Sequence, residues 1–291
     1  MANFTRDPIL KFLLFYPVAR TELTTLEPVI INSPVNPMLK EFNKLQNSRR
    51  HRQKTGKIAL EGPNLVKEAL KAELYPEVVF FSDTYFELEG REITAKLPAG
   101  CRIFLMPPEL FKKITATEAP QPVAAIFQFE RQEYLRRFED LPGLAVVLDR
   151  LQDPGNMGTI IRTAAAAGVE VLYYTAGSTD PYGPKVLRST AGAVFHLRLE
   201  QVPDALQLLD DLKKSGLQVA AAARPGRLYW QVDFKPPTAL IIGNEAGGIT
   251  EELLLKADLQ VSIPLHGRVE SLNAAVASAV LMYEVVRQRS S

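Results

Sequence analysis

The spacing of apolar residues predicts alternating helices and strands along most of the chain. After Pro37, the residues Leu39, Phe42 and Leu45 recur at helical spacing. Short apolar runs bounded by turn-forming residues have the length of buried strands. The N-terminal half is predicted to hold this helix, a strand at Ile58–Leu60, a helix opened by Glu61-Gly62-Pro63-Asn64, and strands at Val78–Ser82, Arg102–Met106 and Val123–Phe129. Such alternation predicts a small α/β layer domain.

The C-terminal half continues the alternation with runs that are apolar along their whole length. Runs of this kind suit parallel strands buried on both faces. The predicted order is strand Leu144–Leu148, loop Asp149–Gly158, helix Ile160–Ala167, strand Val169–Tyr174, helix Pro203–Ser215, strands Leu217–Ala222, Ala239–Ile242 and Gln260–Ile263, and helix Asn273–Arg287. This order predicts a doubly wound α/β domain.

Turn-forming residues and changes in helical periodicity divide the chain into three predicted parts. Residues 1–35 carry scattered Pro and Asn without sustained helical periodicity, so we treat them as an N-terminal extension. Residues 36–135 form the smaller domain, and residues 141–291 form the larger one. A charged helical connector, Arg131–Leu141, ends near Pro142-Gly143, where we place the boundary between the domains.

The composition is that of an ordinary globular chain, with 291 residues, 46% hydrophobic and 23% charged. A net charge of +1 gives no overall basic footprint, so contact with nucleic acid would depend on local patches. No apolar stretch reaches the roughly 18 residues that span a bilayer. Cys101 is the only cysteine, and no Cys/His cluster has zinc spacing. We therefore expect a cytoplasmic protein without a membrane span or a structural metal.

Three segments of the C-terminal half lie where a strand gives way to a loop and then a helix. They are Asn156–Arg162 (NMGTIIR), Gly243–Gly248 (GNEAGG) and Ile263–Asn273 (IPLHGRVESLN). Open α/β sheets collect ligand-binding groups at the carboxyl ends of their strands, so the three segments predict one shared site. The chain has neither G-x-G-x-x-G nor a P-loop, which argues against dinucleotides and nucleoside triphosphates.

The order, identities and spacing of these segments resemble the three signature motifs of the SpoU (TrmH) family of ribose methyltransferases in the SPOUT superfamily: N-x-G-x-x-x-R, G-N-E-x-x-G and I-P-x-(several)-S-L-N. The resemblance implies S-adenosylmethionine-dependent transfer of a methyl group to a ribose 2′-hydroxyl of RNA. The appended N-terminal domain favours rRNA over tRNA. The resemblance also implies a deep trefoil knot in the C-terminal domain and a homodimer, and the mostly apolar terminal helix fits burial on several sides.

The resemblance further implies a catalytic set composed of Arg162, Asn156, Glu245, Ser271 and Asn273. Arg162 matches the catalytic Arg of the family, although a structural salt bridge is an equal alternative from the sequence alone. A neutral guanidine is costly because its pKa lies above about 12. We therefore expect Arg162 to clamp a phosphate and stabilise charge rather than to act as a base.

The other motif residues each have a structural alternative. We expect Gly158 to allow a tight turn and Asn156 to orient Arg162, although an Asn at that point also suits loop capping. Glu245 is expected to brace its loop by accepting backbone N–H groups, with approach to the ribose as the alternative. The family places Ser271 and Asn273 near the ribose, and both also qualify as caps of the terminal helix.

The cofactor is expected to lie against the second and third segments. Glycines such as Gly243 allow close backbone approach to a ligand, and apolar side chains can pack around adenine and the methionine chain. The predicted cofactor residues are Gly243, Asn244, Ile263, Leu265 and Leu272. For the apolar members, ordinary core packing is the alternative. No metal ligand is predicted.

RNA contacts are expected from a basic run in the smaller domain. Lys44, Arg49, Arg50, His51, Arg52, Lys54 and Lys57 occur without an intervening acid. Alone, such a run is typical of a solvated helix face, but beside methyltransferase motifs it predicts phosphate contacts. We assign Arg49, Arg50, Arg52 and Lys54 to RNA binding, together with Lys185 and Arg188.

The smaller domain also resembles the substrate-binding module that precedes many SpoU catalytic domains. The likeness runs from Arg49 to Ala69 and includes an end signature at Thr115–Ala125, in which Pro122 stands where the family has Gly. Pro cannot supply positive φ, so the turn must differ there. Two other functions stay open from the sequence, a non-catalytic RNA-binding protein that kept the fold and a tRNA ribose methyltransferase.

Overall fold

The computed structural model describes residues 27–114, 120–129 and 143–290. Most of the predicted extension at 1–35, the predicted Thr-rich turn at 115–119 and the connector Arg131–Leu141 lie outside the described residues. The predicted limits of the domains stay a prediction. We call residues 27–129 the N-terminal module and residues 143–290 the C-terminal module.

The N-terminal module is a five-stranded sheet with helices on both faces. Its strands are β1 (Val29–Ile30), β2 (Lys57–Glu61), β3 (Pro76–Ser82), β4 (Arg102–Met106) and β5 (Val123–Gln128), and its helices are α1 (Pro37–Asn47), α2 (Arg49–Thr55), α3 (Pro63–Lys71), α4 (Asp83–Thr94) and α5 (Pro108–Ile114). The strand order is β1-β4-β3-β5-β2, with β5 antiparallel to β2 and β3. Phe42 and Phe80 lie in the core on one face, and Val66 and Phe127 lie in the core on the other.

The Ser48 hydroxyl begins a new helix, α2, directly after α1. Asn36 caps α1 by accepting from Met38 N at 2.8 Å, and Ser48 caps α2 by accepting from His51 N at 3.1 Å. Ser and Asn are favoured at this position because their oxygens satisfy N–H groups that have no partner within the helix. The basic residues from Arg49 to Lys54 therefore occupy a separate short helix, α2, whereas Lys44 lies in α1 and Lys57 begins β2.

The C-terminal module is a six-stranded, wholly parallel sheet in the order β11-β9-β10-β6-β7-β8. Its strands are β6 (Leu144–Leu148), β7 (Val171–Thr175), β8 (Arg198–Val202), β9 (Gln218–Leu228), β10 (Thr238–Ile242) and β11 (Leu259–Ser262). Its helices are α6 (Pro154–Ala166), α7 (Pro184–Thr190), α8 (Ala205–Lys214), α9 (Glu251–Lys256) and α10 (Ala274–Arg289). The predicted α/β class with a smaller N-terminal α/β domain is confirmed.

Two predicted boundaries in this module were wrong. Helix α6 begins at Pro154, inside the predicted loop, because Asp153 caps it by accepting from Asn156 N at 2.7 Å and Pro154 suits the first turn. Strand β9 continues to Leu228 instead of ending at Ala222, since a register shift in β11 lets both parts of β9 pair with it. Gly226 permits this, because a Cβ there would lie 2.9 Å from Gln260 O.

Candidate functional site

Each of the three motif segments follows a strand of the parallel sheet, at the carboxyl end of that strand. Asp149 follows β6, Gly243 follows the neighbouring β10, and Ile263 follows β11, which β9 separates from β10. All three strands run in one direction, so the segments emerge at the carboxyl ends where open α/β sheets bind ligands.

Asn156 joins all three segments through its side-chain amide. Its Nδ2 donates to Glu245 Oε1 at 2.9 Å, and its Oδ1 accepts from Asn273 Nδ2 at 2.8 Å. Asn156 itself is buried in the first turn of α6. The prediction that Asn156 orients Arg162 was wrong. Arg162 follows by six residues on a helix, which places it about 9 Å along the axis and on another face.

Glu245 braces the loop before α6. Its Oε2 accepts from Gln152 N at 3.2 Å, and its Oε1 accepts from Asp153 N at 3.1 Å as well as from Asn156. Burial raises the pKa of Glu245, but these hydrogen bonds to the charged form outweigh it and hold that pKa below its usual value. The bracing interpretation of Glu245 agrees with this geometry.

The second segment closes on itself as a tight loop. Asn244 N donates to Gly248 O and Gly248 N donates to Asn244 O, each at 2.9 Å. Asn244 Oδ1 also accepts from the N–H groups of Ala246 and Gly247, and its Nδ2 donates to Arg150 O at 2.7 Å. A Cβ at Gly243 would lie 2.3 Å from the backbone of Gly248, so only glycine fits.

The third segment combines a helix cap with an apolar surface. Asn273 caps α10, because its Oδ1 accepts from Ala275 N at 2.9 Å and from Val276 N at 3.2 Å. Ile263 and Leu265 are half-buried, and Leu272 is 36% exposed. Ser271 is exposed. The segment therefore leaves apolar side chains partly open to a ligand, beside an Asn that is held from two sides.

Arg162 is exposed on α6. Within the described part of the chain, it has no hydrogen-bond or ion-pair partner, which removes the structural salt bridge as its explanation there. A guanidinium without a partner has all five N–H donors available. Two of them can bind a phosphate together as a bidentate fork.

Gly158 serves helix packing rather than a turn, so the prediction for it was wrong. It lies within α6, and a Cβ there would lie 2.0 Å from Ser189 Oγ and 3.0 Å from Val186 O on α7. The missing side chain lets α7 approach α6 closely. The first motif thus owes its Gly to the contact between these two helices.

The predicted RNA residues differ in their surroundings. Arg50, Lys54, Lys185 and Arg188 are exposed, and Arg188 Nη1 lies 3.9 Å from Glu61 Oε2. Arg49 is half-buried and donates to Ser178 O at 3.0 Å. The assignment of Arg52 to RNA was wrong, because its side chain is buried and its guanidinium is bound to Asp180, Leu45 O and Gln46 O.

Asp149 is a positioning residue that the motifs do not contain. It is buried at the end of β6, and its Oδ2 accepts from Thr250 N at 2.8 Å, which holds the far end of the second loop. An acid directly after a buried strand was the signal available in the sequence.

In the described ranges, no cluster of His, Cys, Asp and Glu has the arrangement of a metal site. Nor is any helix of those ranges long and apolar enough to cross a membrane.

Known proteins show the same combination of modules. Residues 143–283 match the model of the SpoU rRNA Methylase family, and residues 36–125 match that of the MRM3-like substrate binding domain. The chain is 34% identical over 257 residues to the 23S rRNA (guanosine(2553)-2'-O)-methyltransferase RlmP of Bacillus subtilis, covering 88% of this chain and 98% of that protein.

Two further similarities cover nearly the same length. The chain is 31% identical over 268 residues to the 23S rRNA (uridine(2479)-2'-O)-methyltransferase of Streptomyces viridochromogenes, covering 88% of this chain and 91% of that protein. The crystal structure of an AdoMet-bound rRNA methyltransferase from Sinorhizobium meliloti superposes with a TM-score of 0.78 at 30% identity, covering 89% and 97% of the two chains.

Proposed function

Because the chain belongs to the SpoU rRNA methylase family, we propose that it transfers a methyl group from S-adenosylmethionine to a ribose 2′-hydroxyl of ribosomal RNA. The observation that carries this proposal is the pair of hydrogen bonds through which Asn156 links Glu245 and Asn273. They hold three segments distant in sequence in one constellation, and Arg162, whose guanidinium is available, follows Asn156 on the same helix. A protein that only bound RNA would have no need of such an arrangement.

The residues present fit S-adenosylmethionine, which supplies an electrophilic methyl group on a sulfonium when bound. Ile263, Leu265 and Leu272 offer apolar surface for adenine and the methionine chain. Gly243 lets the second loop close on itself, and the exposed Gly247 and Gly248 leave backbone of that loop open to a ligand. Asn244 fixes the loop through its side chain and its N–H, so its contact with the cofactor is assigned to its carbonyl oxygen, which can accept a second hydrogen bond beside that from Gly248 N.

Arg162 is assigned to the reacting ribose and its phosphate. It stays protonated near neutral pH, because the pKa of guanidinium lies above about 12. Its fork binds a phosphate oxygen and stabilises the negative charge that develops on O2′ as the proton leaves to water. Ser271 and Asn273 are assigned to the ribose hydroxyls, with Asn156 and Glu245 holding Asn273 and the loop before α6 in place.

The RNA backbone is assigned to a basic surface that spans both modules. It consists of Arg50 and Lys54 on α2 and Lys185 and Arg188 on α7, with Arg49 at its edge. Such contacts position RNA without reading its sequence.

We expect the protein to work in the cytoplasm, since Cys101 is buried and free as suits a reducing compartment.

A homodimer is also proposed, with α10 in the interface. Val276 and Tyr283 are each 50% exposed on that helix and lie on one face. Sedimentation of the double variant Val276→Glu, Tyr283→Glu should give a monomer. Leu255→Glu on α9, at an apolar side chain that is 79% exposed, is the control and should stay dimeric.

Variants of Arg162 test the assignment of function. Arg162→Ala should fold and bind S-adenosylmethionine normally, yet transfer methyl groups about a hundredfold more slowly, the scale seen for lost oxyanion donors. Arg162→Lys should restore little, because an ammonium cannot replace a bidentate fork. Single-turnover transfer beside the melting temperature gives the answer, and near-normal transfer by a stable Ala variant would remove Arg162 from the mechanism.

A further inference from the structure

One ion pair between the two modules is buried. Arg52 lies on α2, and Asp180 lies in the loop between β7 and α7. Arg52 Nε and Nη2 both donate to Asp180 Oδ2, at 3.0 and 2.9 Å, and each side chain is only 6% exposed. The two residues are 128 positions apart in the sequence, so the pair forms only when the modules are docked.

Further hydrogen bonds extend the pair into both modules. Arg52 Nη1 donates to Leu45 O and to Gln46 O at the end of α1. Asp180 Oδ1 accepts from Tyr182 N at 3.2 Å, just before α7 begins. The guanidinium is thereby fixed to the end of one helix and the carboxylate to the start of another. Their relative position is set by directional bonds rather than by apolar packing alone.

Two other ion pairs between the modules are more exposed and longer, and Arg49 adds a 3.0 Å hydrogen bond to Ser178 O. Arg188 Nη1 lies 3.9 Å from Glu61, and His196 Nε2 lies 3.7 Å from Glu68, with both cationic side chains at least 35% exposed. Exposed pairs contribute little because water and salt screen them. A buried pair differs, since removing one partner leaves the other charge without compensation.

The pair stands between the two halves of the basic surface. On one side, α2 carries Arg50 and Lys54 next to Arg52. On the other side, the Asp180 loop leads into α7, which carries Lys185 and packs against α6 at Gly158. Any change at the pair therefore moves the RNA contacts of α2 relative to those of α7 and to the site on α6.

We propose that Arg52 and Asp180 are a positioning pair, which holds the N-terminal module in one orientation so that RNA bound across both modules presents its ribose to the methyl-transfer site. The role of the pair in RNA positioning rests on the proposed function. The role of the pair in docking the two modules does not depend on that function.

The test uses a variant without either charge. Arg52→Met combined with Asp180→Asn avoids the unpaired buried charge that a single change would leave. Lys213→Met combined with Asp258→Asn is the matched control, because it removes a 2.7 Å ion pair that lies wholly within the C-terminal module and outside the basic run. Melting curves and calorimetry with S-adenosylmethionine should show that both double variants fold and keep normal cofactor affinity.

Two measurements separate docking from catalysis. Spin labels at Leu88→Cys and Leu255→Cys, which are 80% and 79% exposed, report the distance between modules in full-length protein diluted with unlabelled chain. Cys101 is buried and should stay unlabelled. The second measurement is kcat and KM on a long ribosomal RNA fragment and on a short oligonucleotide.

The charge-free variant should broaden the distance distribution and raise KM for the long RNA at least about tenfold, with kcat and the short oligonucleotide little changed. The control should match the unaltered protein. A narrow, unchanged distribution with unchanged KM would overturn the proposal, and an equal loss of kcat on both RNAs would also do so. Should the unaltered protein methylate no RNA, the proposed function fails, while the distance measurement still decides the docking role.

Discussion

Replacing Asn156 by Asp changes one donor into an acceptor at the centre of the site. Asn156 Nδ2 donates to Glu245 Oε1 at 2.9 Å, whereas Oδ1 accepts from Asn273. In Asn156→Asp, a second carboxylate oxygen takes the place of the donor, with almost no change in shape. We expect the variant to fold and to keep its hydrogen bond with Asn273. It should lose its hydrogen bond with Glu245 when both acids are ionised.

Coulomb's law gives the size of the effect. Two unit charges 2.9 Å apart repel by about 1.4 kcal/mol at a dielectric constant of about 80 and by about 6 kcal/mol at about 20. Glu245 is exposed, so we expect a penalty near the lower value, about 2 kcal/mol. Like charges this close disfavour ionisation of both acids, so the pair should hold one shared proton to a higher pH than the Glu245 carboxyl holds its own in the unaltered protein. While that proton is bound, the protonated acid can donate and restores the lost hydrogen bond.

The assay is cofactor affinity and single-turnover methyl transfer from about pH 5 to about pH 8. Relative to the unaltered protein, Asn156→Asp should be weakest at the upper end of this range and should recover toward its lower end. Asn64→Asp, an exposed position in the first turn of α3, is the matched control and should follow the unaltered protein throughout. A defect of equal size at every pH, or none at any pH, would refute the electrostatic reasoning.

Three further changes test neighbouring parts of the account. Gly158→Ala should lower the free energy of unfolding by about 1–3 kcal/mol, because its Cβ would lie 2.0 Å from Ser189 Oγ; denaturant unfolding should show partial recovery on adding Ser189→Gly, and no loss at all would contradict close helix packing. Replacing Arg50 and Lys54 by Gln should leave cofactor affinity unchanged and make the salt dependence of RNA binding shallower, by up to about 2 in slope; an unchanged slope would make this helix an ordinary solvated face. Because the pKa of Glu245 is lowered in the fold, its carboxylate stabilises the protein above the unfolded pKa of about 4.3, and this contribution is lost as the pH falls through the lower folded pKa. Glu245→Gln should therefore be less stable than the unaltered protein near pH 7, and the difference should shrink as the pH falls below about 4.3. A difference that stays constant with pH would contradict the hydrogen-bond assignment.

Strand positions were predictable because short apolar runs report burial directly. Leu144–Leu148 coincides with β6, and the other predicted strands lie within two residues of the observed ones except at the end of β9. There, Pro225 and Gly226 look like a turn, but a register shift keeps the strand paired. The start of α6 was missed because Gly158 was interpreted as a turn signal, although Asp153 and Pro154 already carried the signature of a helix start.

The site was predictable as a place but not as a set of contacts. Three strand-end motifs indicate convergence, yet the bonds of Asn156 reach residues 89 and 117 positions away, and only the folded chain brings them together. The burial of Arg52 shows the same limit, since its acid partner lies far from the basic run. The trefoil knot and the roles of the motif residues stay predictions.

The measurement that tests the central claim most directly is the chemical position of the transferred methyl group. Ribosomal RNA transcribed in vitro would be incubated with S-adenosylmethionine labelled on its methyl group and then hydrolysed in alkali. Methylation of O2′ blocks attack of that oxygen on the adjacent phosphate, so the label should appear in an alkali-resistant dinucleotide. With Arg162→Ala, that signal should fall about a hundredfold at equal cofactor occupancy. Label released in mononucleotides would indicate methylation of a base, and no label from a protein that binds the cofactor would mean that the chain is not a methyltransferase for this RNA.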